Sequence, residues 1–279
     1  MRTDSLMRDA GRTDGSADKD LHKDDAHKDK ESLSPAVTRA VAILDALAVS
    51  PTKTLGTSEL ARQLGLPKSS ISNICGALVS SGMARRIGTG FALGRKVVHL
   101  SGAYLASMDI VQEVDEAVGQ LGTASEETVQ LAVLEGLEVC YVYQHHGDQP
   151  VRLVPGGIGR RLPAVCTAVG KAMLAKLDDE ELERRFASLD EWPQLTPRSH
   201  RSFEALMKDL RAIRERGYSI DDEEAIEGML CLAVSIPQRN AHDEHYAASI
   251  TLLKARATPE RIVTLVADLN ALAGRFSAR

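Results

Sequence analysis

Two short apolar-periodic runs, separated by Gly65-Leu66-Pro67, constrain this chain more tightly than any other feature. Before the break, Thr57 is placed to cap the run SELARQLG, with Glu59 in its first turn. After it, Pro67 suits the first turn of KSSISNICGALVSSG. A glycine that stops one helix and a proline that starts the next force a sharp turn instead of one long rod. Two short helices joined in this way make a helix-turn-helix. In the second helix Ile71, Ile74 and Leu78 face inward, while Lys68, Ser69, Ser70, Ser72 and Asn73 fill the first turns. These five donate readily to phosphates and base edges, so the helix reads as a recognition helix for double-stranded DNA.

The flanking sequence extends the reading. Val37, Ala40, Val41, Leu44 and Leu47 recur at helical spacing after Ser34-Pro35, predicting a first helix that ends near Val49. MARRIGTGFALG, with Gly88 and Gly90 around Thr89, predicts a β-hairpin wing that offers Arg85 and Arg86 to the phosphate backbone. RKVVHLSGAYLASM then predicts a linker helix. Charge follows the same division: residues 34–107 carry a net +6, residues 1–33 a net −2 and residues 108–279 a net −9. A basic module that meets a polyanion is therefore joined to an acidic module with another task. Residues 1–33 hold almost nothing large and apolar and read as a disordered tail, with His22 and His27 as solvated polar residues.

Beyond the linker, helix and strand patterns mix. A helix is expected from Asp109 to about Ala124, then two strands in TVQLAVLEGLEVCYVYQHH with Glu135-Gly136 at the turn. Pro155-Gly156-Gly157 and Gly159 mark a loop, and helices are expected over Ala164–Leu177, DDEELERRF and Phe203–Arg216, the last stopped by Gly217. Tyr218–Asp221, Leu230–Ile236 and Ala247–Leu253 read as strands, and Pro259 opens a final helix. The fold class is α+β. The domains expected are a tail over 1–33, a winged helix-turn-helix over 34–94, a linker helix over 95–108 and an effector-binding, oligomerising domain over 109–279.

Other function classes are poorly supported. No apolar run reaches the roughly 20 residues of a membrane span, and residues 1–33 lack a signal peptide's apolar stretch. Cys75, Cys140, Cys166 and Cys231 form no C-x-x-C pair, which points to a cytoplasmic protein with neither a disulfide scaffold nor a zinc ribbon. Aromatics at 4% argue against stacking platforms for single-stranded nucleic acid. There is no P-loop, G-x-S-x-G or H-E-x-x-H, so neither an enzyme nor a cofactor is expected.

The whole order, with GRRLPAVCTAVGKAMLA, TPRS and LRAIRERGYSIDDEEAIEGMLCLAVSIP, resembles the isocitrate lyase regulator (IclR) family of bacterial transcription factors. The resemblance covers roughly residues 35–276, and GYSIDDEE-x-x-EG-x-x-C is its most specific stretch. It implies a GAF-like second domain that binds a small organic or aromatic acid. It also implies a homodimer or dimer of dimers on a palindromic operator. Carried over residue by residue, the effector pocket falls at Thr167, Ala168, Val169, Asp221, Cys231, Ser249 and Thr251, with Leu162, Met229 and Leu232 as apolar lining. Backbone N–H groups at the helix start would take the carboxylate, and Asp221 would accept from a ligand hydroxyl.

The chain departs from the family pattern at three places. Val169 adds bulk beside Ala168 that reshapes the pocket. The long stretch PQRNAHDEHYAASITLLKARAT leaves two registers open for Ser249 and Thr251, and a one-residue slip would reverse their face. Asn73 stands where the family often has arginine, and asparagine can read adenine. Two alternatives use the same scaffold: a thiol switch at Cys231, which requires an exposed, low-pKa thiol, or a metal sensor at His242-Asp243-Glu244-His245 or His145-His146, two clusters that a polar surface turn explains more simply. A more remote one is an enzyme pairing Cys166 or Cys231 with His145, His146 or Asp221; a buried structural cysteine is the commoner outcome. No metal site is assigned.

Overall fold

Gly65 adopts a left-handed backbone, φ 64°, and carries the chain from helix α2 (Thr57–Gln63) into α3 (Lys68–Ser80). The computed structural model describes residues 33–122, 126–147, 157–189, 191–240 and 243–277. Residues 1–32 of the predicted tail, the Pro155-Gly156 part of the loop and His242 lie outside them. The chain divides into two units, one ending at Tyr104 and the other beginning at Leu105.

The first unit builds on α1 (Pro35–Val49), α2 and α3, whose inward faces meet in one core of Ile43, Leu60, Ile71, Cys75 and Phe91. Strands β1 (Leu55–Gly56), β2 (Ala84–Ile87) and β3 (Gly90–Leu93) form a small antiparallel sheet in the order β1-β3-β2. The predicted wing is β2–β3, turned by Gly88 in the left-handed region at φ 56°. Thr57 does not cap α2 as expected. Leu55-Gly56 pairs with Phe91-Gly90 of the wing, which makes extended Gly56 the N-cap and draws Thr57 into the first turn.

Helix α4 (Arg95–Ala106) follows the wing and buries none of its residues. Helix α5 (Asp109–Val118) stops at Gly119, well short of Ala124. The second unit is organised by an antiparallel sheet of six strands among the described residues. The strands are β4 (Thr128–Glu135), β5 (Glu138–His145), β6 (Arg161–Pro163), β7 (Ser219–Asp222), β8 (Met229–Ile236) and β9 (Tyr246–Leu253), in the order β6-β5-β4-β9-β8-β7.

Alternation along each strand separates two layers. Val129, Leu131, Leu232, Ile250 and Leu252 point into one core, under α5 and α9 (Pro259–Ser277). Ala132, Tyr141, Ala233 and Ala247 point into the other, under α6 (Ala168–Leu174), α7 (Asp179–Phe186) and α8 (Phe203–Arg216). The expected helix over Ala164–Leu177 is broken. Ala164–Cys166 is a 3₁₀ turn, Thr167 is extended, and α6 begins only at Ala168. The break is built in, because the Thr167 side chain accepts from the Gly170 N–H at 3.1 Å and so starts a new helix.

Candidate functional site

Helix α3 buries Ile71, Cys75 and Leu78 and turns Lys68, Ser69, Ser72, Asn73, Gly76, Ala77 and Ser80 outward; Ser70 is half-buried at the margin. Periodicity thus places four of the five predicted DNA contacts on one open face. The wing arginines are both exposed, but adjacent residues of a strand point to opposite sides. Arg86 lies over the Phe91 ring, 4.9 Å from its centroid, while Arg85 donates through Nε to the Leu93 carbonyl at 3.3 Å. They do not form a single two-pronged clamp.

In the second unit, the register of the sheet lines up polar side chains on the face toward α6. Thr128, Thr251, Cys231 and Asp221 are successive cross-strand partners and make one row. Gln130, Ser249, Ala233 and Ser219 make the next. Ser249 and Thr251 therefore share one face with Cys231 and Asp221, which resolves the two registers. Within the first row Thr251 Oγ1 donates to Cys231 Sγ at 3.2 Å, and Asp221 Oδ1 accepts from the N–H groups of Glu224 and Ala225 at 2.7 and 3.2 Å. The Ser219 hydroxyl is buried with no hydrogen-bond partner. Buried polar atoms of this kind ordinarily find one, which makes Ser219 an exception on this face.

Several expectations are corrected. Leu232 points into the opposite core and lines nothing on this face; Met229, two residues before Cys231, does. The Thr167 hydroxyl is used inside the chain, accepting from Gly170 and donating to the Ala164 carbonyl at 3.4 Å. The side chains of Ala168 and Val169 pack into the apolar core below α6, so only their backbone remains to meet a ligand. His145 cannot serve Cys231: β4 and β9 separate their strands, about 14 Å at the usual spacing. Asp221 does stand directly across from Cys231. Burial, reinforced by the charge of Asp221, pushes that thiol's pKa well up, which opposes both a nucleophile and a thiol switch. In the supposed metal turn, Asp243 accepts from the N–H groups of Arg239 and Asn240 at 3.0 and 2.7 Å and holds the turn itself.

Beside the polar rows lies a group that sequence reasoning missed. Lys171 of α6 is fully buried, with Nζ 2.8 Å from Asp209 and 2.5 Å from Glu224. His200 Nε2 stands 3.1 Å from the same Asp209 oxygen and 3.6 Å from Glu224. These carboxylates and the imidazole resemble a metal site, but the lysine ammonium already supplies the cation. The missed residues did leave signals. Thr128 and Gln130 alternate with Val129 and Leu131 in a strand buried on both faces, and Lys171 interrupts the apolar run AVGKAML.

Asp221 carries the clearest electrostatic signature. Burial and then the neighbouring Glu224 charge raise its pKa to about 6, against partial relief from the Glu224 N–H. A carboxyl whose folded pKa lies above its unfolded value adds stability that is full below the unfolded value and lost as pH rises through the folded one. Asp221→Asn keeps an acceptor for both N–H groups and removes the titration. We expect it to match wild type near pH 4 and to exceed it above about pH 6, by at most about 3 kcal/mol. Urea denaturation at pH 4, 5, 6 and 7.5 checks this; parallel curves for the two proteins would show that Asp221 is not the group responsible.

Comparison with known proteins gives a consistent picture. Residues 36–88 match the IclR helix-turn-helix domain, and residues 102–278 match the bacterial transcriptional regulator IclR C-terminal domain. The chain is 31% identical over 236 residues to the transcriptional repressor IclR of Escherichia coli, covering 81% of this chain and 83% of that protein. It is 33% identical to the crystal structure of the Agrobacterium tumefaciens repressor BlcR, with a TM-score of 0.54 over 88% of this chain and 99% of that one. At the level of fold it also resembles an IclR homolog from Microbacterium hydrocarbonoxydans complexed with 4-hydroxybenzoate, at 22% identity and a TM-score of 0.70 over 88% and 100% of the two chains. Among the described residues no helix is long and apolar enough to cross a membrane.

Proposed function

Because the chain belongs to the IclR family of bacterial transcriptional regulators, we propose that this DNA-binding regulator responds to a small organic acid held on the polar face of its second unit. The observation that carries the reading is the pair of polar rows beneath α6, buried where an unliganded core would hold apolar residues. Asp221, Cys231, Ser249 and Thr251 hydrogen-bond the ligand, the backbone at Ala168 and Val169 meets its carboxylate, Thr167 holds that helix start in place, and Met229 supplies apolar lining. The carboxylate lies away from Asp221, since two like charges in so dry a site would repel. A ring hydroxyl or comparable donor faces Asp221. 4-Hydroxybenzoate, the molecule bound in the Microbacterium relative, has both groups and heads the panel to test.

On the DNA side, Lys68, Ser69, Ser72 and Asn73 enter the major groove with Ser70 at its margin, and Arg85 and Arg86 meet phosphates on either side of the wing. Reading a palindrome needs two such modules about 34 Å apart or a multiple of it. The apolar residues that α1 and α4 leave outside, among them Val37 at 62% exposure and Val98 at 74%, support pairing with a second copy. The acid changes operator affinity by binding one state of the dimer better than the other. Such a protein works in the cytoplasm, beside the chromosome.

The test is a titration of the full chain against intergenic DNA flanking its own gene, at several salt concentrations, with and without a panel of aliphatic and aromatic acids. The expected result is specific, salt-sensitive binding that one acid shifts. Replacing both wing arginines by alanine is expected to lower the log–log salt slope by about 1.8, at roughly 0.9 for each phosphate no longer neutralised. An unchanged slope removes the wing from the interface, and specific binding indifferent to every acid overturns the effector reading.

A further inference from the structure

We infer that Asn73 selects the operator by reading an adenine in each half-site, a reading that rests on α3 being the recognition helix. The outward face of α3 has one cation, Lys68, at the first residue of the helix. Guanine is recognised chiefly by arginine or lysine reaching its O6 and N7, and past Lys68 this helix offers neither. Asn73 lies five residues further on, about 7.5 Å along the axis and still in the N-terminal half of the helix, the part of a recognition helix that contacts base edges. Its planar amide is the one amide on that face and carries its donor and acceptor on separate atoms in one plane, the complement of adenine N7 and N6, whereas the serine hydroxyls beside it offer both functions on a single oxygen. No described residue hydrogen-bonds this amide.

The neighbours of Asn73 complete the argument. An asparagine is short, so it reaches a base edge only if the helix backbone comes close to the groove floor. Ser69, Ser72 and Gly76 surround it on the same face, and all are small. A Cβ built on Gly76 would meet nothing within 4 Å, so the packing of this chain gives no reason for a glycine there. Glycine also weakens a helix interior relative to alanine. Its effect is to clear the space beside Asn73 for an approaching DNA duplex.

Selection by the full-length protein from a pool of randomised duplexes, followed by binding to the enriched sequence, tests the assignment. The expected sequence is a palindrome with an adenine in each half whose replacement by 7-deazaadenine costs wild type about 10- to 100-fold in affinity. Asn73→Ala, at an exposed and helix-favourable position, should lose preference at that base while the other positions keep theirs. Gly76→Leu should weaken every sequence together. A palindrome whose preferences are the same for wild type and Asn73→Ala, or an adenine indifferent to the 7-deaza change, overturns this inference and leaves the regulator reading standing. A pool with nothing enriched overturns both.

Discussion

Lys171→Met is expected to cost about 3–5 kcal/mol of folding stability, the usual penalty for breaking a buried ion pair by removing one partner. The ammonium is fully buried between Asp209 and Glu224, and one Glu224 oxygen already lacks a hydrogen-bond partner. Methionine fills most of the volume, so the loss is electrostatic: Glu224 loses its cation, and Asp209 keeps only Arg216, 3.4 Å from its other oxygen. Burial alone would raise the pKa of Asp209; the hydrogen bond to His200 and the Lys171 charge outweigh it and hold the carboxyl well below the usual carboxylate range. A depressed carboxyl contributes stability above its unfolded pKa, near 3.8, that is lost as pH falls through the folded one. Wild type should therefore weaken below about pH 4, whereas Lys171→Met should be relieved there, since protonating the carboxylates removes their repulsion. Guanidinium denaturation at pH 4 and pH 7.5 measures both effects. A loss under 1 kcal/mol at pH 7.5 would mean that the pair is solvated in solution. Adding Asp209→Asn and Glu224→Gln to the lysine variant should recover much of the stability, because the charges left stranded are then gone.

The second large effect is expected from Gly170→Ala. A Cβ at this position would fall 2.2 Å from the Ala164 carbonyl oxygen and 2.4 Å from its Cα. Both are backbone atoms of the 3₁₀ turn, so no rotamer change relieves the clash, and α6 must lift from the turn. Overpacking typically costs 1–3 kcal/mol, and contact with unyielding backbone puts the expected loss at about 3 kcal/mol or more. The damage falls where Thr167 starts α6 over the polar rows, so the response to an acid should fail with the stability. Gly76→Ala supplies the contrast, since the same atom added there meets empty space and should gain about 1 kcal/mol from helix propensity. Thermal unfolding of the two variants, measured side by side, decides the matter. Equal shifts would mean that the approach of α6 to Ala164 is looser than the backbone geometry implies.

The strands of the second unit were legible to within about a residue at Ser219–Asp222, Met229–Ile236 and Tyr246–Leu253, and so were several of its helices. Phe203–Arg216 and its Gly217 stop, at φ 84°, follow from local signals alone, as does Pro259 at the head of α9. Errors arose where local signals competed with partners distant in sequence. The apolar run from Ala164 reads as one helix, yet Thr167 caps a new one, and Gly170 lets it pack on Ala164. Thr57 is a good N-cap residue, but strand pairing of Leu55-Gly56 with the wing moves the helix start back by one residue. Leu232 is as apolar as any lining residue, and only its pairing with Ile250 assigns it to the other core.

By itself the sequence determined what depends on neighbours a few residues apart: the helix-turn-helix, its outward row of Ser69, Ser72 and Asn73, the wing turn, and the division into a basic and an acidic part. Tertiary structure alone decided which strand lies beside which, with β9 drawn in between β4 and β8 from the far end of the chain. That pairing fixes the face of every residue in a strand of period two, and so brings Thr128, Thr251, Cys231 and Asp221 into one row. The packing of α6 and α8 on the same side of that sheet sets Lys171 against Asp209 and Glu224, 38 and 53 residues away. Helical faces are set by 3.6-residue geometry and can be read locally, whereas a strand's two faces become distinct only when its neighbours and the layers above and below are in place.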